Sequence, residues 1–136
     1  MRKNDGFTLI EVLMVVVIIG ALAAMVVPRL SGRSEQAKVT IAKVDIDSNI
    51  SSALKLYQVD NGTFPTTEQG LEALLRKPTS PPTPTNWNGP YLEKESIDPW
   101  GRKYQYQFPG SHGVSYDLYS FGPKENDEKG QIRNWQ

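Results

Sequence analysis

The chain has no cysteine and a single histidine, His112, among its 136 residues. Disulfide bonds and thiol chemistry are therefore excluded, and so, in practice, are the Cys/His ligand sets of zinc sites. Excess charge is also missing, because 15 lysines and arginines balance 15 aspartates and glutamates. That balance does not favour nucleic acid or an acidic membrane surface as a partner. No nucleophile–base pair or phosphate-binding loop stands out, so an enzyme is the least favoured class.

What the sequence does have is one long apolar run, residues 7–27. A membrane-spanning helix needs about 20 predominantly apolar residues, and this run is long enough. Glu11 is its only ionisable side chain. An acid at the centre of such a helix costs roughly 2.5–3.5 kcal/mol, so Glu11 is expected to have a partner. The most economical partner is a free α-amino group at Phe7, which exists only if the chain is cut after Gly6.

The stretch GFTLIEVLMVVVIIGALAAMVVP, residues 6–28, resembles the class III signal of type IV pilins and type II secretion pseudopilins. The resemblance implies that a prepilin peptidase cuts between Gly6 and Phe7 and that Phe7 becomes N-methylated. An ordinary secretory signal is cut behind its apolar region, whereas here the apolar segment would be retained. The alternative is a plain signal anchor with a chance Gly-Phe pair.

After the apolar run, residues 29–60 change to an amphipathic pattern. No strong stop occurs before the turn signal at residues 60–62, so one helix is expected from Phe7 to about Val59. Proline removes an intrahelical hydrogen bond, and a bend is therefore expected near Pro28. The resemblance to pilins implies that the segment between Gly20 and Pro28 is unwound in the filament. A helix of this length with one covered half favours lateral assembly. Apolar residues at helical spacing predict its buried stripe: Ala37, Ile41, Val44, Ile50, Ala53, Leu54 and Tyr57.

Residues 61–136 are predicted to form a loop-rich region of mixed α and β structure. Thr66 or Thr67 is expected to cap a short helix that ends at Lys77. Alternating residues predict strands at 103–108 and 114–121, joined by a hairpin, and a short third strand within 131–135.

The aromatic residues and the histidine of this region have two interpretations each. Trp87, Tyr91 and Trp100 are expected to anchor a small core, with a binding platform as the alternative. His112 lies in the glycine-flanked hairpin and is expected to be a solvated turn residue rather than a catalyst.

Five stretches of this region resemble the major pseudopilin family of type II secretion: DNGTFPTTEQGLEALLRKPT, NWNGPYL, DPWGRKYQY, YDLYSFGP and NW. The resemblance implies the α+β, type IV pilin-like fold. In that fold a long N-terminal helix, with a transmembrane half and an amphipathic half, packs on a small antiparallel sheet with a short second helix. The resulting domains are a leader peptide at 1–6, a transmembrane or filament-core helix at 7–28, the amphipathic half at 29–60 and a periplasmic region at 61–136.

The same resemblance implies a structural subunit of the pseudopilus, a helical filament that drives export of folded proteins across the outer membrane. Glu11 would pair with the Phe7 α-amine of a neighbouring subunit and so set the register of assembly. The partners would be further copies of the chain, minor pseudopilins, the prepilin peptidase, the inner-membrane assembly platform with its ATPase and, indirectly, the secretin and exported proteins.

The positive charges of Arg2 and Lys3 predict a cytoplasmic N-terminus. The protein would cross the bacterial inner membrane once, with its C-terminal domain in the periplasm of a Gram-negative cell. Assembly would then place it in the periplasmic pseudopilus. A minor type IV pilin or a competence pseudopilin is the alternative within the class. A membrane-anchored periplasmic binding module is the alternative from another class.

The loop at residues 122–130 departs from the family pattern. The family typically binds one calcium ion here, but its acidic ligand positions are Lys124, Gly130 and Gln131 in this chain. Calcium takes about 6–8 oxygen ligands, usually including carboxylates. Lys124 could substitute for the ion by pairing with loop carboxylates, which is the favoured hypothesis. The alternative is a rearranged calcium site, and no cofactor is otherwise predicted. That site would use the remaining acids of the loop, Glu125, Asp127 and Glu128.

Overall fold

The computed structural model describes residues 6–135, except for the side chains of residues 27–31. Most of the predicted leader, residues 1–5, therefore lies outside the described part. The chain divides into two compact units, with the boundary between Gln36 and Ala37. Helix α1 (Leu9–Val44) continues into a π-helical segment (Asp45–Ile50) and then into α2 (Ser51–Asn61). The long N-terminal helical region expected from the sequence is confirmed.

The π-helical segment is fixed at both ends by tyrosines of the sheet region. The Tyr104 hydroxyl donates to Oδ2 of Asp45 at 2.8 Å, and the Tyr116 hydroxyl donates to Oγ of Ser51 at 2.8 Å. The Ser51 hydroxyl in turn donates to the carbonyl of Ile46, five residues earlier, at 2.5 Å. Burial, together with the bond to Asp45, raises the pKa of Tyr104, so this phenol remains a donor. These contacts favour the wider turn of a π-helix at this point.

The buried face of the helix differs from the predicted stripe in its first half. Ala42, Ile46 and Ile50 are fully buried, whereas Ile41 is 52% and Val44 50% exposed. Ala37 is exposed as well, so the prediction was wrong for Ala37, Ile41 and Val44 and correct from Ile50 onward. Successive steps of four residues would drift off one face of an α-helix, which turns every 3.6 residues. The wider π turn keeps those positions aligned.

The region after α2 begins with the predicted turn and cap. Gly62 has a φ of +79° and its N–H donates to the Gln58 carbonyl at 2.7 Å. The Gln69 N–H donates to Oγ1 of Thr66 at 3.2 Å, while the Thr66 N–H donates to Oε1 of Gln69 at 3.1 Å. This reciprocal box confirms the predicted capping pattern at Thr66, but it closes the turn at residues 67–70, and the helix itself begins only after Gly70.

The helix that follows this cap is a single 3-10 turn, Leu71–Leu74, and is shorter than predicted. It stops early because its last carbonyl is already used. The Leu74 carbonyl accepts the N–H groups of Tyr91 at 2.7 Å and Leu92 at 3.2 Å. A further helical turn would have to compete with these two bonds.

Three short strands form an antiparallel sheet in the order β1 (Gln105–Gln107), β2 (Asp117–Ser120) and β3 (Ile132–Arg133). Tyr106 pairs with Leu118, and Ser120 pairs with Ile132. All three strands lie where the sequence predicted them but are shorter. The sheet closes a core made of Ala42, Ile46, Ile50, Ala53, Leu54, Tyr57, Phe64, Ala73, Leu74, Tyr104, Tyr116, Leu118 and Ile132.

Candidate functional site

The N-terminal motif contains a hydrogen-bonded box at the start of α1. The backbone N–H of Thr8 donates to Oε2 of Glu11 at 2.8 Å, and the Thr8 hydroxyl donates to the same oxygen at 3.0 Å. The Glu11 N–H donates back to Oγ1 of Thr8 at 3.3 Å. This is a reciprocal capping box, which satisfies helix N–H groups that would otherwise lack partners. Thr8 and Glu11 are thus joined within one chain.

Thr8 was missed as a functional residue at the sequence level, although its signal was present. A Thr three residues before a Glu at the start of an apolar run is the sequence pattern of a capping box. The sequence prediction considered only the cost of burying the Glu11 charge, and it therefore placed the partner of Glu11 in a neighbouring chain. The nearest donors are instead in the same turn, and they leave Oε1 of Glu11 without a hydrogen bond among the described residues.

Helix α1 contains one stretch that is long and apolar enough to cross a membrane, Leu9–Val26, with a mean hydropathy of 2.8. None of this stretch is buried in the structure. Its large side chains are exposed throughout, from 52% at Val12 to 88% at Leu9. A contiguous apolar surface of this size indicates contact with lipid or with other chains. The N-terminal helix is therefore long and apolar enough to anchor the protein in a membrane.

Two residues of α1 were predicted to bend the helix. A Cβ added at Gly20 would meet no atom within 4 Å, so the packing of the single chain does not require a glycine there. The side chain of Pro28 lies outside the described part of the structure. Residues 9–44 form one helix that includes both positions, and the bend stays a prediction.

The loop at residues 122–130 is closed by short-range hydrogen bonds. The Asp127 N–H donates to the Lys124 carbonyl at 3.2 Å, and the Gly130 N–H donates to the Asp127 carbonyl at 3.0 Å. Oδ1 of Asp127 accepts the Lys129 N–H at 3.1 Å, which caps the 3-10 turn Glu128–Gly130. One acid of the loop is therefore used as a local cap.

Two arginines from outside the loop contact its main chain. Nη2 of Arg102 donates to the Gly122 carbonyl. Nη2 of Arg133 donates to the Glu128 carbonyl at 2.9 Å, and its Nε donates to Oε1 of Gln131 at 3.0 Å. Each guanidinium also lies over an aromatic ring, Arg102 at 6.0 Å from the centre of Phe121 and Arg133 at 5.6 Å from the centre of Trp135.

Neither hypothesis for this loop matches these contacts. Within the described residues the Lys124 amine forms no ion pair, so the structure does not bring it to a loop carboxylate. The described residues also contain no group of three or more His, Cys, Asp or Glu side chains placed to hold a metal ion. Glu125, Asp127 and Glu128 are thus not gathered into a rearranged site.

The aromatic residues proposed as a binding platform make inward contacts. Nε1 of Trp87 donates to the Ala73 carbonyl at 2.9 Å, and the Tyr91 hydroxyl donates to Oδ2 of Asp60 at 2.7 Å. The Tyr91 ring lies edge-on to Tyr57 at 5.6 Å. Trp87, Tyr91 and Trp100 are all packed against the core. Their contacts favour the anchor interpretation.

His112 has a structural role that the sequence did not predict. Its Nδ1 lies 2.8 Å from Oδ2 of the buried Asp117, and its ring stacks on Trp135 with centres 4.2 Å apart. The Ser111 hydroxyl donates to the same carboxylate oxygen at 2.7 Å. The Ser111 Oγ also lies 3.3 Å from Nδ1 of His112, the same ring nitrogen that faces Asp117. A nucleophile–base–acid chain needs the two different ring nitrogens, so these three residues do not form one. His112 is exposed, as expected for a turn residue, and it also connects the hairpin to the C-terminal end of the described chain.

The electrostatics of Asp117 follow from this arrangement. Burial alone would raise the pKa of the Asp117 carboxyl, but hydrogen bonds from Ser111 and His112 outweigh it and lower the pKa. The carboxylate is therefore held in its charged form at neutral pH, although its residue is only 2% exposed.

The long N-terminal helical region, the short 3-10 helix Leu71–Leu74 and the three-stranded antiparallel sheet together define a type IV pilin-like fold. The model of the type II secretion system protein G family matches residues 29–135, and the prokaryotic N-terminal methylation motif matches residues 1–27.

Individual proteins agree with these matches. The chain is 53% identical to the type II secretion system core protein G of Pseudomonas aeruginosa, over 98% of this chain and 96% of that protein. It is 46% identical to the protein of the same name from Escherichia coli K12, over 98% and 92% of the two chains. The crystal structure of the major pseudopilin from the type 2 secretion system of enterohaemorrhagic Escherichia coli superimposes with a TM-score of 0.69 at 38% identity, covering 78% of this chain and 89% of that one.

The chain therefore belongs to the protein G family of the type II secretion system, and its function is that of a major pseudopilin.

Proposed function

We propose that the chain is processed between Gly6 and Phe7, N-methylated at Phe7 and assembled through Glu11 into the periplasmic pseudopilus. Before assembly it crosses the inner membrane once, with Arg2 and Lys3 on the cytoplasmic side and the C-terminal domain in the periplasm. The match of residues 1–27 to the N-terminal methylation motif supports the processing site. The exposed apolar helix Leu9–Val26 supports the membrane-anchored precursor.

The observation that carries the assembly step is the state of the Glu11 carboxylate. Thr8 uses only Oε2, through two donors, and the other oxygen has no hydrogen bond among the described residues. An α-ammonium group of Phe7 from a neighbouring copy would find this oxygen open. The Thr8 donors are neutral, whereas the ammonium would add the attraction of an opposite charge to its hydrogen bond with the carboxylate. Because unpaired buried charge is costly, copies that align Phe7 with Glu11 are favoured over other registers.

This proposal is tested by substituting Glu11 and Thr8 separately. Glu11→Leu should insert into the membrane and be processed, yet form no pseudopilus. Thr8→Ala removes the helix cap, at a cost of about 1 kcal/mol, but leaves the charge, so filaments should form in reduced amount. Thr8→Ser keeps the hydroxyl and serves as the matched control. Processing is measured by mass spectrometry and filament yield by shearing and electron microscopy.

Two results would contradict this role of Glu11. If Glu11→Leu forms normal filaments, the carboxylate charge is not required for assembly. Loss of filaments in Thr8→Ala as complete as in Glu11→Leu would assign the essential role to the capping box instead.

The processing step has its own test. A bulky residue in place of Gly6 should block cleavage and leave a precursor that is heavier by residues 1–6. Lys3→Gln changes the leader without touching the cleavage junction and should still be processed. The mature wild-type protein should begin with a methylated Phe7 in N-terminal mass spectrometry. A mature protein that begins at another residue would overturn the assigned junction.

The partners follow from membership of the secretion system. The chain would contact further copies of itself, minor pseudopilins, the prepilin peptidase and the assembly platform with its ATPase. It would contact the secretin and exported proteins only indirectly. A structural role rather than catalysis is supported by the arrangement of Ser111, His112 and Asp117, in which no hydroxyl is activated. Site-directed cross-linking between Phe7 and Glu11 positions of neighbouring copies would test the homo-oligomeric contact directly.

A further inference from the structure

The loop at residues 122–130 has a charge composition unlike that of a cation site. Calcium needs about 6–8 oxygen ligands and is held chiefly by carboxylates and carbonyls. Here three acids of the loop are outnumbered by four basic residues in or against it. The acids are Glu125, Asp127 and Glu128, and the basic residues are Arg102, Lys124, Lys129 and Arg133. A divalent cation at the loop would have four positively charged side chains as neighbours, of which, among the described residues, only Arg102 lies beside a further carboxylate, that of Asp98.

The main-chain carbonyls at both ends of the loop are occupied by guanidinium groups. Arg102 donates to the Gly122 carbonyl at the start, and Arg133 donates to the Glu128 carbonyl near the end at 2.9 Å. Like charges repel each other strongly at short range. A cation bound at either carbonyl oxygen would therefore be repelled by the guanidinium group that donates to that oxygen. Of the loop carboxylates, Asp127 is also occupied, as the cap of the Lys129 N–H.

Both guanidinium groups are positioned by other parts of the fold. Nε of Arg102 lies 3.9 Å from Oδ2 of Asp98, whose side chain is completely buried. Asp98 also accepts the Arg102 N–H at 2.8 Å and fixes the backbone there. Arg133 belongs to β3 and is held over the Trp135 ring. The two cations are therefore part of the folded scaffold, not mobile surface side chains.

We infer that Arg102 and Arg133 together take the place of a bound cation in this chain and hold the 122–130 loop closed, so that the globular domain does not depend on calcium. The residues present do not fit a calcium ion. The positive charge that the loop needs is built into β3 and into the turn after Asp98. This inference concerns the stability of the subunit and is independent of the processing and assembly steps proposed above.

The first experiment compares melting temperatures of the full-length protein in detergent, in EDTA and in millimolar calcium, with magnesium as the ion control. The melting temperature should be the same in all three, within about 1 °C. A site occupied at a hundred times its dissociation constant would instead raise it by roughly 10–20 °C for a domain of this size. A calcium-specific rise of several degrees would overturn the inference.

The second experiment substitutes the arginines one at a time. Arg102→Gln and Arg133→Gln should each lower the melting temperature by roughly 5–15 °C, equally in EDTA and in calcium. Arg76→Gln is the matched control, because the Arg76 side chain is 83% exposed and, among the described residues, its one ion pair is with Glu72 at 3.7 Å. It should leave the melting temperature unchanged. Wild-type melting temperatures in both arginine variants would contradict the role assigned to them.

A local measurement separates loop opening from general destabilisation. In Arg133→Gln, hydrogen exchange should accelerate first at the amides of Gly130 and Gln131, which donate within the loop. Protection of the Gly62 amide at the end of α2 should be unchanged. Equal acceleration at both places would mean that Arg133 does not act on the loop in particular. If either variant fails to fold, the wild-type comparison of EDTA with calcium still decides the question.

Discussion

Replacing Asp98 with alanine should destabilise the globular unit strongly, because one buried carboxylate serves three hydrogen-bond donors. Oδ1 accepts the N–H of Trp100 at 3.0 Å and the N–H of Arg102 at 2.8 Å. Oδ2 accepts the hydroxyl of Ser120 at 2.7 Å, and Ser120 is itself completely buried. The alanine variant would leave all three donors without their partner.

The magnitude follows from the number of donors and their burial. Each buried donor without a partner costs about 1–3 kcal/mol, and removing one member of a buried charged network costs about 3–5 kcal/mol. We therefore expect Asp98→Ala to lose about 3–5 kcal/mol of the roughly 5–15 kcal/mol that stabilises a small domain. Asp98→Asn keeps Oδ1 as an acceptor for both backbone N–H groups and should lose only about 1–2 kcal/mol.

Urea unfolding of the full-length protein in detergent, followed by tryptophan fluorescence, measures these losses. Trp87, Trp100 and Trp135 all lie in the second unit, so the signal reports that unit. Both variants should shift the midpoint without changing the slope. Asp47→Ala removes an exposed acid of the π-helical segment and should stay within about 0.5 kcal/mol of wild type. A loss below about 1 kcal/mol for Asp98→Ala would refute the reasoning from unsatisfied donors.

Three further substitutions test other parts of the structure. Ile46→Ala should cost about 2–5 kcal/mol and Ile41→Ala less than about 0.5 kcal/mol in the same urea assay, since only Ile46 is buried. The lowered pKa of Asp117 stabilises the fold above the ordinary carboxyl pKa near 4, and this contribution is lost as pH falls through the lower folded pKa. The stability difference between wild type and Asp117→Asn should therefore be present at about pH 5 and shrink below about pH 4, which acid titrations of urea midpoints would reveal. Gly122→Ala should cost roughly 2 kcal/mol or more by thermal melting, because φ is +75° there and a Cβ would overlap the Gly130 carbonyl.

The features that the sequence predicted correctly are those with local signals. The N-terminal motif, the turn at Gly62 and the capping box at Thr66 each depend on residues within four positions of one another. The three strands were placed by alternation and turn residues, and only their lengths were overestimated. Short-range hydrogen bonding and side-chain periodicity suffice for such features.

The features that the sequence did not predict depend on contacts between distant residues. Tyr104 contacts Asp45 across 59 positions of the sequence, and Tyr116 contacts Ser51 across 65. In the helix that they hold, Ala42 and Ile46 are buried in place of Ile41. No local periodicity contains that information, because helical spacing presumes an unbroken α-helix.

The same limit applies to the two polar sites. Arg102 lies twenty positions from the Gly122 carbonyl, and the sequence prediction therefore named a basic residue inside the loop, Lys124, as the substitute for the ion. His112 was judged without Asp117 and Trp135, which the hairpin and β3 bring to it. In each case a charged or aromatic group was assigned by its neighbours in sequence, whereas its partner is a neighbour only in the fold.

The contacts of Glu11 and of the 122–130 loop share one physical consequence for assembly. In both places the polar acceptors receive hydrogen bonds from the same chain. Thr8 donates to the Glu11 carboxylate, and Arg102 and Arg133 donate to main-chain carbonyls of the loop. Within the single chain, the Glu11 carboxylate and the carbonyls of this loop therefore already have hydrogen-bond donors. In the proposed assembly, the Phe7 ammonium has only to displace two donors from one carboxylate oxygen or to bind the second oxygen beside them. In that proposal the capping box would re-form when a neighbour leaves, so addition and release of subunits would not leave the Glu11 charge without a donor.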